Sequence, residues 1–391
     1  MRVDPSLRGI VFGGRMPNFR RRSKEFQTPQ DYIDAVINKK IKDPVINFQR
    51  RNGFEIIGVL KNYLDDDLDS MGYATHMLWK NPTQFHETGA ISKVSQRGRT
   101  QSSVRVASVQ YQVRKVTSFQ QLAEQIEYFI DVAADYRADF VLFPELITIP
   151  LLSTEKKKLS PEESILRITD YTDQFVDFMQ QAAISYNINI IGGSHPTKVA
   201  DDRIENHAYV FLRSGEIFVQ PKIHPTPNER YWWSIKGGEK LNAIPTDCGS
   251  IGVLVCYDSE FPELARHLTD QGAQIIFVPF CTDERQGYLR VRYCCQARAV
   301  ENQVYIATAG IVGNLPDVEN MDVHYAASGI YTPCDFPFAR DGIAALADAN
   351  TETIIFADLK MDQLAISRHS GTVQNLNDRR FDLYRMHWRG K

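Results

Sequence analysis

No stretch of this chain is apolar for the ~20 residues that a helix needs to cross a bilayer. The first residues, "MRVDPSLRGIVFGGRMPNFRRRS", are rich in arginine and poor in acid, like a transit peptide, but "RGIVFGG" has the pattern of a folded strand and turn. An apolar signal core is missing there, so secretion is not expected. Charge of one sign is also missing: 45 basic and 48 acidic residues leave a net charge of -3, which gives no reason to expect nucleic acid or a membrane surface as partner. None of the six cysteines (248, 256, 281, 294, 295 and 334) forms a C-x-x-C pair, and adjacent Cys294 and Cys295 suit neither a zinc site nor a disulfide framework. The nine histidines include no H-E-x-x-H. Reduced thiols, a cytoplasmic protein, no metal and no cofactor are the expectations. A length of 391 residues with 43% hydrophobic and 24% charged residues describes a globular protein with room for two domains.

Residues 1–80 form one block. "TPQDYIDAVINKKI" carries a threonine cap, proline at the first helical position and apolar residues at helical spacing. "DPVINFQRRNGFEIIGVLKNYL" predicts a helix, an Asn52-Gly53 turn and a strand; "MGYATHMLW" predicts another strand. Residues 81–103 are polar, small and charged, and are expected to be a linker.

From Val104 strands and helices alternate. "VRVASVQYQV" is a strand, "FQQLAEQIEYFIDVAADYRA" an amphipathic helix, and "DFVLFPE" a buried strand ending in Glu145. One long helix is expected over 161–186, then a strand at 188–193 and a hairpin turning at Ser214-Gly215 and ending at Lys222. A strand at 251–255, a helix, the strand "AQIIFVPF", the helix "GYLRVRYCCQARAVEN" and the strand "VYIATAG" follow, with strands near 326–331 and 353–358. Several strands pair as hairpins, so the sheets are mixed, and their number implies two packed sheets with helices outside. Residues 361–391 are a tail.

Three predicted strands end in a reactive polar residue: Glu145 after "VLFP", Lys222 after "FVQP" and Cys256 after "GVLV". Strand ends are where a rigid sheet presents side chains to a pocket. A carboxylate can deprotonate a thiol, and an ammonium favours the thiolate and the oxyanion formed when it attacks a carbonyl. The corner where a strand turns into a helix brings helix N–H groups near Cys256, an environment that lowers a thiol pKa. Taken singly, each residue has an ordinary structural role: a helix-initiating acid, a solvated loop charge, a small core residue.

The stretches "LFPE" (142–145), "PKIHPTPNE" (221–229) and "VCYDSEFPE" (255–263) together resemble, in order and spacing, three blocks of the nitrilase superfamily of carbon–nitrogen hydrolases. "VASVQY", "IIGGSH" and "QARAVENQVYIATAG" extend the resemblance over residues 104–360. It implies an α/β fold of mixed sheets in a four-layer α-β-β-α sandwich, preceded here by a small α+β segment. It also implies Glu145 as general base, Lys222 as the oxyanion's cation, Cys256 as nucleophile and Glu229 as the carboxylate holding lysine and substrate, with the Tyr257 N–H completing the oxyanion hole. Phe280 to Asp283, Phe280 and Thr282 among them, and the loop after Glu145 are expected to line the acyl pocket. The implied reaction hydrolyses a small amide through a cysteine thioester, releasing ammonia or an amine. Carbamoyl and ureido substrates need the same chemistry. True nitrilases carry C-W-E where this chain has "CYD", and a scaffold without activity would lack one of the four residues, all of which are present.

The family resemblance also implies a homodimer or higher even oligomer, through helices at 260–271 and 286–301, which carry more apolar residues than one face needs. A shorter resemblance links "LRGIVFGGRMPNF" and residues 43–82 to the C-terminal half of a GNAT acetyltransferase. The pyrophosphate-binding loop of that family has no counterpart here, so acetyl transfer is not expected.

Overall fold

The computed structural model describes residues 9–51, 54–64, 66–80, 103–200, 203–316 and 318–389. The expected Asn52-Gly53 turn and all but the last residue of the expected linker lie outside them. The chain divides into two compact units, the first grouping residues 1–99 with 185–187 and the second the rest.

The first unit is a three-stranded antiparallel sheet with three helices. Its elements are β1 (Gly9–Gly14), α1 (Phe19–Arg22), α2 (Pro29–Ile37), α3 (Pro44–Arg51), β2 (Glu55–Leu64) and β3 (Gly72–Lys80), with strand order β1-β3-β2. Thr28 and Asp31 form a reciprocal cap at the start of α2, as the sequence predicts. Buried Asp43 caps α3 through the Val45 and Ile46 N–H groups and accepts the Tyr32 hydroxyl at 2.5 Å. Met16, Phe19, Tyr32, Ile33, Val36 and Ile46 make this unit's core.

The second unit holds β4 (Ser103–Val113), α4 (Phe119–Asp135), β5 (Phe140–Leu142), α5 (Pro161–Ile168), α6 (Thr172–Tyr186), β6 (Asn189–Ala200), β7 (Arg203–Phe211) and β8 (Ile217–Pro221). It continues through α7 (Pro227–Trp232), β9 (Ile244–Thr246), β10 (Gly249–Val253), α8 (Pro262–Asp270), β11 (Ile275–Phe280), α9 (Arg285–Asn302), β12 (Tyr305–Gly313), β13 (Gly329–Tyr331), β14 (Ile343–Leu346), β15 (Thr353–Lys360) and α10 (Met361–Ser370). One half of the sheet runs β15-β4-β5-β6-β7-β8, the other β9-β10-β11-β12-β13-β14. Both halves have parallel centres and antiparallel flanks. They join where Ile311–Gly313 of β12 pair with Tyr111–Val113 of β4. Phe140 of β5 meets Phe277 of β11 at 5.2 Å, and one core cluster contains residues of both halves. This is a mixed α/β sandwich, as the sequence predicts.

Two local expectations need correction. The single helix over 161–186 is two helices separated by a tight turn at Thr169–Tyr171, where the Thr172 hydroxyl bonds the Thr169 carbonyl and the His195 ring in place of regular helix geometry. The tail contains α10, whose Leu364 is fully buried, and Trp388 stacks on His267 of α8. In α8 and α9, Leu264, Ala265, Leu268, Tyr288, Val291 and Cys295 are buried, Cys294 and, just before α8, Phe261 are half-buried, and Tyr293 is exposed. Leu268 packs so closely on β10 that a Cβ at Gly252 would come within 2.7 Å of it.

Candidate active site

β5 is three residues long because Phe143 and Pro144 leave the ladder at once. Its exit is fixed by β6: Phe143 N–H donates to the Ile191 carbonyl, and Gly193 takes a left-handed φ of 67° so closely under Pro144 that a Cβ would lie 1.9 Å from its oxygen. Only glycine fits there. Leu146 follows with φ 57° and donates to the Ser194 hydroxyl, so the turn that aims Glu145 inward is held on both sides.

Glu145 is buried with three donors. Oε1 accepts from Lys222 Nζ at 2.8 Å and Asn206 Nδ2 at 3.0 Å, and Oε2 accepts from the Cys281 N–H at 2.9 Å. Lys222, 1% exposed, follows β8 and also reaches Glu229 Oε2 at 2.6 Å. Glu229 is the third residue of α7, in a reciprocal cap with Thr226, which sets its carboxylate toward the lysine. Cys256 follows β10 with φ 49°, a strained value for a side chain with a Cβ, and its Sγ points to the Cys281 carbonyl at 3.7 Å. The structure thus gathers Glu145, Lys222, Glu229 and Cys256 into one buried cluster.

Electrostatics set the protonation states. Burial pushes the Glu145 carboxyl up, Lys222 pulls it down and Glu229 pushes it up again, for an outcome of about 7. Burial works to lower the Lys222 ammonium, but the two carboxylates outweigh it and hold its pKa well above the ordinary value. The thiol departs from the sequence expectation. Burial first and the Glu145 charge second raise the Cys256 pKa, and Lys222 offsets only part. Cys256 opens a 3-10 turn over Cys256–Glu260, and α8 starts only at Pro262. The resting thiol is protonated and needs a base.

Two residues join the cluster that strand-end reasoning overlooks. Asn206, fully buried mid-strand in β7, donates from Nδ2 to Glu145 and, at 3.3 Å, to Glu229 Oε1, while its carbonyl accepts the Lys222 N–H. A polar amide inside "RIENHAYVF" is the sequence signal for it. Asp258, also buried, accepts from the Ile223 and His224 N–H groups and from His224 Nδ1, tying the lysine loop to the cysteine turn.

The remaining expected residues stand close by with their side chains engaged. Phe280 is buried in the core against Gly310, and the Thr282 hydroxyl donates to the Tyr325 carbonyl at 2.7 Å. They flank Cys281, whose backbone serves both Glu145 and Cys256. Tyr257 meets Phe261 edge to face, and Phe261 stacks on His224 at 3.8 Å. Tyr231 and Trp232 of α7 are exposed. Among the described residues no group of three or more His, Cys, Asp and Glu side chains could hold a metal ion.

A two-sheet sandwich with a buried glutamate–lysine–cysteine centre at the ends of its strands defines a class of cysteine-bearing hydrolase folds. The carbon–nitrogen hydrolase profile matches residues 105–368, and the chain belongs to that family. It is 46% identical over 384 residues to the "Probable hydrolase YhcX" of Bacillus subtilis (strain 168), covering 98% of this chain and 73% of that one. It is 28% identical to the omega-amidase NIT3 of Saccharomyces cerevisiae, over 69% of this chain and 90% of that one. The crystal structure of yeast Nit3, a member of branch 10 of the nitrilase superfamily, superposes with a TM-score of 0.56 at 25% identity over 68% of this chain and 93% of that one. The Helicobacter pylori G27 carbon–nitrogen hydrolase shares the fold with a TM-score of 0.61 at 20% identity, over 73% and 98%. The chain is an enzyme that hydrolyses carbon–nitrogen bonds of the amide type.

Proposed function

We propose that the enzyme cleaves a small amide through a thioester on Cys256. The observation that carries the residue roles is the Lys222 ammonium, locked between Glu145 Oε1 and Glu229 Oε2 and buried beside a protonated thiol. Glu145 takes the thiol proton as sulfur attacks the carbonyl carbon. The tetrahedral oxyanion is stabilised by Lys222 and the Tyr257 N–H. Glu145 then gives the proton to the leaving nitrogen, the C–N bond breaks, and ammonia or an amine departs. Water attacks the thioester with Glu145 again accepting its proton, which returns to sulfur as the acid leaves. The names of relatives at 28–29% identity, omega-amidase and deaminated glutathione amidase, support an amide as substrate. Ammonia release from a panel of small amides, ureido acids and nitriles tests the class; turnover of nitriles alone would refute it.

Glu145 must be ionised to act as base, so kcat/KM is expected to rise with pH through about 7. The same shift has a stability cost. A carboxyl raised from 4.5 to about 7 contributes folded stability below pH 4.5 that is lost as pH climbs through 7. The Asn206 donor favours the ionised form, so Asn206→Ala should move the acid limb to higher pH and lower kcat/KM roughly 10- to 100-fold, the range for losing a hydrogen bond to a charge. An unmoved limb would remove Asn206 from this role.

His224 lies two residues from Lys222, yet its Nδ1 faces Asp258 and its ring stacks on Phe261, so it is not the base. His224→Ala should keep activity within roughly tenfold of wild type, whereas Glu145→Gln should remove nearly all of it; the reverse would overturn the assignment.

Residues 1–80, the linker at 81–103 and the hydrolase domain at 104–360 complete the proposed organisation. The first block resembles part of a GNAT acetyltransferase without its pyrophosphate loop, and calorimetry with acetyl-CoA should show no binding. We place the enzyme in the cytoplasm, as a homodimer or higher even oligomer through α8 and α9; sedimentation of a monomer at micromolar concentration with full activity would refute the assembly. No described helix is long and apolar enough to cross a membrane.

A further inference from the structure

We propose that a lysine-lined cavity at the carboxyl ends of β4 and β12 binds a small polyanion, a molecule carrying two or more phosphate or carboxylate groups. The cavity holds about 450 Å³ and is lined by Lys115, Lys156, Lys157 and Lys158, with Leu152 and Pro316 among its apolar walls. A second cavity of about 410 Å³ shares Glu155, Lys156 and Lys157 with it and adds Arg167.

A run of three lysines is ordinarily a solvated face, but here it lines a concavity, and two of its three ammonium groups have no ion pair among the described residues. Glu155 is held by Arg167 at 2.6 Å, and Lys158 meets Glu319 only at 3.9 Å. Lys156 and Lys157 have no carboxylate within ion-pair distance among the described residues. Ammonium groups gathered in a cleft raise the local concentration of anions.

Position supports the same conclusion. Ligands of parallel α/β sheets bind beyond the carboxyl ends of the strands, where the sheet divides. The two halves of this sandwich join through β4 and β12, and Lys115 and Pro316 lie just beyond those ends. Both walls also lead to the catalytic cluster. One, residues 146–159, starts beside Glu145. The other, which supplies Pro316 and Val318, leads on to Tyr325, whose N–H donates to the Thr282 carbonyl next to Cys281. The cavity therefore sits on segments that hold the base in place, and its lysines touch none of the reacting groups.

Calorimetry of the full chain with inorganic pyrophosphate tests this. One-to-one binding is expected. It should weaken at least tenfold in K156A/K157A and persist in K24A/K240A, a charge-matched variant elsewhere, while both variants hydrolyse a neutral short amide as the wild type does. Two kinetic arms separate the sources of the anion. Pyrophosphate that raises only KM for an amide with an anionic tail marks a substrate subsite; pyrophosphate that alters kcat on a neutral amide marks an effector site. Absence of binding heat at millimolar pyrophosphate, or equal affinity in wild type and K156A/K157A, overturns the proposal. Neither result depends on the thioester mechanism.

Discussion

Cys256→Ala will remove turnover by a factor of roughly 10⁴ or more and leave the protein folded. The size follows from the nucleophile's part in both halves of the reaction: without it neither the thioester nor its hydrolysis exists, and what remains is the weak catalysis of the oxyanion site. The mildness toward the fold follows from what the sulfur touches. Its polar contacts are a long one to the Cys281 carbonyl and one to Glu145, and alanine accepts the left-handed backbone about as well as cysteine does. A stability change within about 1 kcal/mol is expected, read by thermal melting beside the activity assay. Near-normal turnover in this variant would end the mechanism.

Lys222→Met has the opposite balance and damages both. It keeps the stem's apolar bulk but takes away the charge between two buried carboxylates that approach the same nitrogen at 2.8 and 2.6 Å. Breaking a buried ion pair from one side costs about 3–5 kcal/mol because the remaining charge is left uncompensated, and here two charges remain. The loss should shrink as pH falls through about 7, since protonating Glu145 removes one of the two facing charges; melting at pH 5 and pH 8 reads the difference. Activity should fall by more than roughly a hundredfold at every pH, the minimum for removing an oxyanion donor. Lys222→Arg should not restore it, because a planar fork cannot replace a compact ammonium in this slot. A variant as stable at pH 8 as wild type would mean that Glu145 is already neutral there and its charge misassigned.

What the sequence discloses and what it hides have physical reasons. Glu145, Lys222 and Cys256 are legible because each ends an apolar run, and the alternation that marks a strand also marks where it stops. Asn206 is hidden because it sits inside a strand between Glu205 and His207, where a run of polar residues gives no face to choose; only the fold shows it between Glu145 and Glu229. Asp258 is visible as part of "CYD", yet its grip on the 223–224 backbone depends on two segments 34 residues apart meeting in space. The rise in the thiol pKa is hidden because its causes, full burial and the Glu145 charge, arise only when the fold brings Glu145 and Cys256 together. The break between α5 and α6 has no proline or glycine to announce it; the His195 ring, brought in by β6, helps to stabilise it. β9 and β14, three and four residues long, are too short for any periodicity to register.

The central claim is that Cys256 is the nucleophile, and an α-haloacetamide tests it most directly. The reagent mimics the amide and alkylates the sulfur that attacks it. Peptide mass mapping at half-inactivation should find the added mass on Cys256 in proportion to activity lost, with Cys281 and the other four thiols unmodified. Inactivation that tracks alkylation of Cys281, or proceeds with Cys256 untouched, would contradict the account.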